Sequence, residues 1–123
     1  MSSSLHKVQG FGSSHSGTGH FYHERLSSIA LIPLTLWFGW AILGLVNASE
    51  VAAISFLAKP INFILMSAFM LITLYHIKLG VQVIIDDYVH SAGKKIALLL
   101  LVRFLVIATG SLSLFALIRI VSL

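Results

Sequence analysis

Residues 61–85 read INFILMSAFMLITLYHIKLGVQVII, preceded by Lys59-Pro60 and followed by Asp86-Asp87-Tyr88. His76 and Lys78 are the only imidazole and ammonium groups in this apolar run. Coiled as an α-helix the run is ~37 Å long, enough to cross a hydrocarbon core of ~30 Å. Proline at its start suits a first helical turn, where the missing N–H would have no partner anyway. Strands of a membrane barrel would alternate apolar and polar residues over short segments, and this run does not alternate. It therefore predicts a transmembrane helix.

Two further runs lie on either side of it. Ile29–Val46 contains no ionisable residue, and Ile96–Ile118, just after Gly93-Lys94-Lys95, contains only Arg103. The expected fold is all-α and integral to the membrane, with three transmembrane helices in residues 20–123. Composition agrees: of 123 residues 58% are hydrophobic and 10% charged, against about 25% charged in soluble domains. A chain this short has too little interior to hide so much apolar side chain. A lone soluble globule, a disordered chain and a nucleic-acid-binding domain are excluded, although the net charge is +4. With no cysteine, the chain holds no disulfide, Fe–S cluster or thiolate-bound zinc.

Residues 1–19 differ in kind: six serines and four glycines accompany His6, Lys7 and His15. They carry neither the continuous apolar stretch of a secretory signal nor the arginines of a transit peptide, since Arg25 is the first arginine. The expectation is a flexible or partner-ordered cytoplasmic segment. Lys7, Arg25, Lys94 and Lys95 fall on one side of the three spans, and Lys59 and Arg119 on the other. The excess of positive charge places the N-terminus inside and the C-terminus outside.

Ionisable groups at membrane depth are costly, and so they mark candidate function. The first span has none; its Gly39 and Gly44, with Thr109, Ser113 and Ala116 in the third, are expected at close helix–helix contacts. The second span holds His76, Lys78 and Gln82 before Asp86-Asp87-Tyr88. His76 and Asp87 are ~16.5 Å apart along a helix and ~20° from facing the same way. Gly80, four residues after His76, leaves a notch on that face, and Ile72 and Val83 wall it. Lys78 lies about 200° around from His76 and falls outside that face.

A neutral imidazole deep in a membrane beside a glycine suits a b-type haem, whose iron takes axial histidines and whose faces are apolar. One deep histidine requires a second ligand from another subunit. The plainer alternatives are a histidine hydrogen-bonded to a neighbouring helix, or a proton relay. At the boundary, Asp87 and Tyr88 are either an anchor and a span end, or a quinone-head site. In the second case the phenol supplies a neutral donor and the carboxylate a proton route.

His76, ten intervening residues and Asp87-Tyr88 form an H-x10-D-Y pattern that resembles the small hydrophobic membrane-anchor subunit of succinate dehydrogenase, particularly its alphaproteobacterial type. The runs YHIKLGVQVIIDDYVH and GHFYHERLSSIALIPLTLWF carry the likeness, which extends over about residues 17–118. The resemblance implies one part of a heteromeric helical bundle in the bacterial inner membrane, with the mitochondrial inner membrane as the alternative. The partners would be a cytochrome b556 anchor subunit, an iron–sulfur subunit and a flavoprotein subunit. His76 matches the family's haem b axial ligand, the opposite ligand coming from the other anchor. Tyr88 matches the tyrosine that hydrogen-bonds a ubiquinone carbonyl, and Asp87 its neighbouring aspartate. Arg25 matches an arginine on a haem propionate; His20, one residue out of register with a family histidine, is a second propionate candidate.

FAD and the Fe–S clusters would belong to the partners only, and this chain would do no succinate chemistry. The alternatives are a fumarate reductase anchor, a haem-free structural anchor and a small proton-relay protein. Glu24 is a competitor for Arg25, Asp86 a helix cap or counter-charge, and His90 and Ser91 are loop residues. Lys78 and Arg103 are expected to snorkel toward head groups or a partner.

Overall fold

The computed structural model describes residues 15–122, with side chains from Gly19 onward. Four helices follow one another: α1 (His15–Leu45), α2 (Glu50–Ala58), α3 (Pro60–Tyr88) and α4 (Ala92–Val121). Three stretches are long and apolar enough to cross a membrane: Gly19–Leu45, Pro60–Tyr88 and Ala92–Val121. The three-span, all-helical expectation holds. Of the segment 1–19 expected to be flexible or partner-ordered, residues 1–14 lie outside the described residues, and α1 begins at His15.

Each spanning helix outruns the apolar run that announced it. α1 takes in His20, His23, Glu24 and Arg25, and α4 starts at Ala92, ahead of Lys94-Lys95. A helix satisfies its own backbone and need not stop where the hydrocarbon does. α1 also runs through Pro33, although proline removes one i→i−4 bond there.

The nine-residue helix α2 is a feature that span counting does not reveal. Ser49 caps it, its side chain accepting from the Ala52 N–H at 3.2 Å, and Glu50 places a negative charge in the first turn. Lys59 then turns extended (φ −67°, ψ 132°), as the residue before a proline must, and Pro60 opens α3. The buried Asn62 amide donates to the Phe56 carbonyl at 2.9 Å, joining the Lys59 N–H on that acceptor at the end of α2. Trp37 stacks on Phe56 with ring centroids 6.3 Å apart, tying α2 to α1.

Packing centres on α3, which lies against α1, α2 and α4; α2 also touches α4, while α1 and α4 make no extensive contact among the described residues. The three spans therefore stand in a row rather than a closed triangle. Phe38 and Phe69 stack at 4.5 Å between α1 and α3. Between α3 and α4 the close approach is at Gly110, which is buried. Within this chain Gly39 and Gly44 approach no other helix: a methyl added at either would meet nothing within 4 Å. Thr109 and Ala116 are exposed and Ser113 is half-buried.

Among the described residues no side chain is fully enclosed, and Ile32, Leu43, Phe104 and Leu112 stand open. Water would not tolerate such a surface; lipid and neighbouring helices do.

A methyl at Gly110 would lie 3.5 Å from Leu74 and 3.6 Å from Leu71, ordinary contact distances. Gly110→Ala is therefore expected to be near neutral. Gly110→Leu is expected to cost about 1–3 kcal/mol by overpacking, seen as a lower midpoint in detergent unfolding of the full chain.

Candidate functional site

The deep histidine is held by a serine. Ser27, in the second half of the polar stretch that opens α1, is only 6% exposed. Its hydroxyl oxygen lies 2.9 Å from the Glu24 carbonyl and 2.8 Å from Nδ1 of His76. With the hydroxyl donating to the Glu24 carbonyl, the serine oxygen is left to accept from Nδ1–H. That arrangement corresponds to the His76 tautomer with its lone pair on Nε2. Nothing among the described residues hydrogen-bonds that second nitrogen. The plain expectation of a histidine bonded to a neighbouring helix is met at one nitrogen and leaves the other free.

One turn earlier on α1, His23 Nδ1 meets the Tyr75 hydroxyl at 2.8 Å. The two pairs, Ser27 with His76 and His23 with Tyr75, clamp α1 to α3 at one level. Neither partner was evident in the sequence. The available signal was the four-residue spacing of His23 and Ser27, which places both on one helical face.

His76 lines an open groove of about 390 Å³ whose other walls are Ser28, Leu31, Ile32, Thr35 and Leu36 of α1. Gly80, Ile72 and Val83, expected to shape the notch, are not among its walls; a methyl on Gly80 would touch nothing within 4 Å. The wall comes from α1 because Ser27 draws that helix across the imidazole. Arg25 precedes Ser28 by three residues and so lies about one turn beyond the groove, toward the charged end of α1. Its guanidinium rests over the Phe21 ring at 5.4 Å and pairs with no carboxylate among the described residues. Glu24 does not take it; that carboxylate lies 4.0 Å from Nε2 of His20. The His20 nitrogen is itself buried without a hydrogen-bond partner.

Asp87 and Tyr88 occupy the last turn of α3, so the eleven-residue separation from His76 is a helical one throughout. Both are exposed, Tyr88 by 77%. The two adjacent acids differ in their surroundings. Asp86 reaches across the short Val89–Ser91 link to Lys95 at 3.9 Å, the counter-charge role expected of it, while Asp87 pairs with nothing among the described residues. His90 is exposed in that link. Lys78 is on another flank, as its angle around the helix required, and lines a groove together with Arg103.

Among the described residues no three His, Asp or Glu side chains converge. The donor set is one imidazole with a free Nε2, at mid-span, above an apolar groove and below an unpaired arginine.

Fold and site together define an integral membrane protein of three spans, with one deep histidine whose Nε2 is unbonded among the described residues and an exposed Asp87–Tyr88 pair at the end of α3. The chain belongs to the succinate dehydrogenase/fumarate reductase transmembrane subunit family, whose model matches residues 1–110. It is similar to the succinate dehydrogenase hydrophobic membrane anchor subunit of Rickettsia bellii, with 32% identity over 84% of this chain and 82% of the relative. The corresponding subunit of Paracoccus denitrificans is 28% identical over 79% of this chain and 75% of its own length. The succinate dehydrogenase membrane anchor subunit of Reclinomonas americana is 30% identical over 75% of this chain and 79% of its own. No solved structure matches the chain.

Proposed function

We infer that this chain is the membrane anchor of a succinate:ubiquinone oxidoreductase, contributing one axial ligand of a haem b and part of the ubiquinone-reduction site. The observation that supports the haem assignment is the Ser27–His76 hydrogen bond, which engages Nδ1 and leaves Nε2 available as a ligand. The family match and the names of the relatives support the complex, and those names favour succinate oxidation over fumarate reduction.

In this scheme His76 would hold the haem iron from one side, and the cytochrome b556 subunit would supply the opposite ligand. The porphyrin would lie against the aliphatic groove, and Arg25, with His20 as a second donor, would meet the propionates. When bound, the haem supplies a one-electron redox centre beside the path to the quinone.

Ubiquinone becomes ubiquinol by taking two electrons and two protons. The electrons come from succinate through FAD and the Fe–S clusters of the partner subunits. This chain's part is at the protons. Tyr88 donates a neutral hydrogen bond to a quinone carbonyl, and Asp87, open to water and without a cation, carries protons toward the reduced oxygens. The iron–sulfur and flavoprotein subunits would dock over the end that bears Tyr88 and the Val89–Ser91 link. By the positive-charge bias that end is cytoplasmic, in the bacterial inner membrane, with the C-terminus periplasmic.

The haem assignment is tested at the serine. Ser27→Ala removes the acceptor that fixes the imidazole, and such second ligand-shell changes cost about 10–100-fold in metal affinity. The Ser27→Ala complex is expected to retain less haem and to show a shifted midpoint potential, with Ser27→Thr restoring both. Haem content and potential equal to wild type in Ser27→Ala would overturn the assignment.

A further inference from the structure

Among the described residues two side-chain hydrogen bonds join α1 to α3, Ser27 with His76 and His23 with Tyr75, each 2.8 Å long. The first holds the imidazole directly. The second is placed to bear on the first. On α3 the two attachment points are consecutive residues, at nearly one height and ~100° apart around the helix. On α1 they are four residues apart, on one face and ~6 Å apart along the axis.

A single bond at Nδ1 is a pivot. It leaves α3 free to turn about its axis and the imidazole free to swing about the bonded nitrogen, and either motion redirects Nε2. A second bond from a residue ~100° away opposes the turn, because a rotation that brings one of the two residues toward α1 carries the other away. The Phe38–Phe69 stack between the same helices lies eleven residues, ~16 Å, along α1 from Ser27, too distant to orient one ring.

Tyr75 is itself held in place. It is half-buried, its ring meets the His23 ring edge-on with centroids 6.1 Å apart, and the Lys78 ammonium rests 5.6 Å over it. A phenol both donates and accepts, so the bond to Nδ1 can form with either tautomer of His23.

We propose that Tyr75 and His23 are positioning residues for a metal ligand: their hydrogen bond sets the rotation of α3 against α1, and through it the direction of Nε2 of His76. This role rests on the reading of His76 as a haem axial ligand and extends it to a pair that acts on the iron only through the imidazole. Partners that orient a ligand tune both the affinity and the potential of the metal.

The test uses the intact complex. Tyr75→Phe keeps the ring that faces Lys78 and removes only the hydroxyl, and His23→Leu removes the other partner. Each is expected to lower haem retention several-fold and to shift the haem midpoint potential in the same direction as Ser27→Ala. Each should also move the electron paramagnetic resonance signal of the oxidised haem, which reads the angle of the axial imidazoles. His23→Asn, which offers an amide at the place of Nδ1, should restore all three. Because Tyr75 acts through the imidazole that Ser27 holds, Tyr75→Phe/Ser27→Ala should shift the potential by clearly less than the sum of the single shifts. Succinate oxidation with an artificial acceptor should be unchanged throughout.

A wild-type potential and signal in Tyr75→Phe would overturn the proposal. So would shifts that add in the double variant, or a His23→Asn complex that behaves like His23→Leu. Loss of succinate oxidation together with haem in Tyr75→Phe would make the pair a requirement for assembly, which also defeats it. His76→Ala separates the two levels. A b-type band that survives His76→Ala removes the haem reading and this role together. A band lost in His76→Ala, beside an unaltered Tyr75→Phe, removes this role alone.

Discussion

The dithionite-reduced spectrum of the His76→Ala complex is expected to lack the b-type band of the wild type. The effect should be a loss rather than a shift. An alanine has no donor, and among the described residues no other His, Asp or Glu cluster comes together to replace it. Ser27→Ala, by contrast, should weaken the band, because it disturbs the tautomer and leaves the ligand in place. A His76→Ala complex that assembles and keeps the full band would end the haem assignment and leave His76 as a hydrogen-bonding residue between α1 and α3.

Tyr88→Phe is expected to lower quinone reduction roughly ten- to hundred-fold, the cost of one hydrogen bond left unmade at a buried carbonyl. Succinate oxidation with an artificial acceptor should survive, since that activity needs no quinone head group. The change removes one oxygen from a side chain that is 77% exposed in this chain, so the fold has little reason to respond. Equal loss of both activities would point to failed assembly instead. Asp87→Asn belongs to the same test: it should lower quinone reduction while the Asp86–Lys95 pair, one residue away, remains intact.

The spans were legible in the sequence because hydrocarbon imposes a simple rule, an apolar run of sufficient length, and each of the three runs obeys it. Helix α2 was not legible, since nine residues cannot span and its evidence is the local chemistry of Ser49, Glu50 and Pro60. Within the site, the relation of His76 to Asp87 and Tyr88 could be read from spacing alone because one uninterrupted helix carries all three. The relation of His76 to Ser27 could not. It joins residues 49 positions apart and depends on the register of α1 against α3. The same holds for Lys78 and Arg103, which sequence leaves as two unrelated snorkelling cations and the antiparallel packing of α3 and α4 brings into one groove. Small residues alone do not say which of them makes a contact: within this chain it is Gly110, and not Gly39 or Gly44.

That the three spans stand in a row bears on how much of this chain a cell can keep. A closed triangle would bury an interior of its own and could outlast its partners. A row held along a single central helix presents both broad faces outward, and a copy left unassembled shows the surveillance proteases of the membrane much the same surface that it would otherwise bury. Its lifetime is then governed by how soon a companion chain arrives. Its steady-state amount is then expected to follow the supply of companion chains rather than its own rate of synthesis.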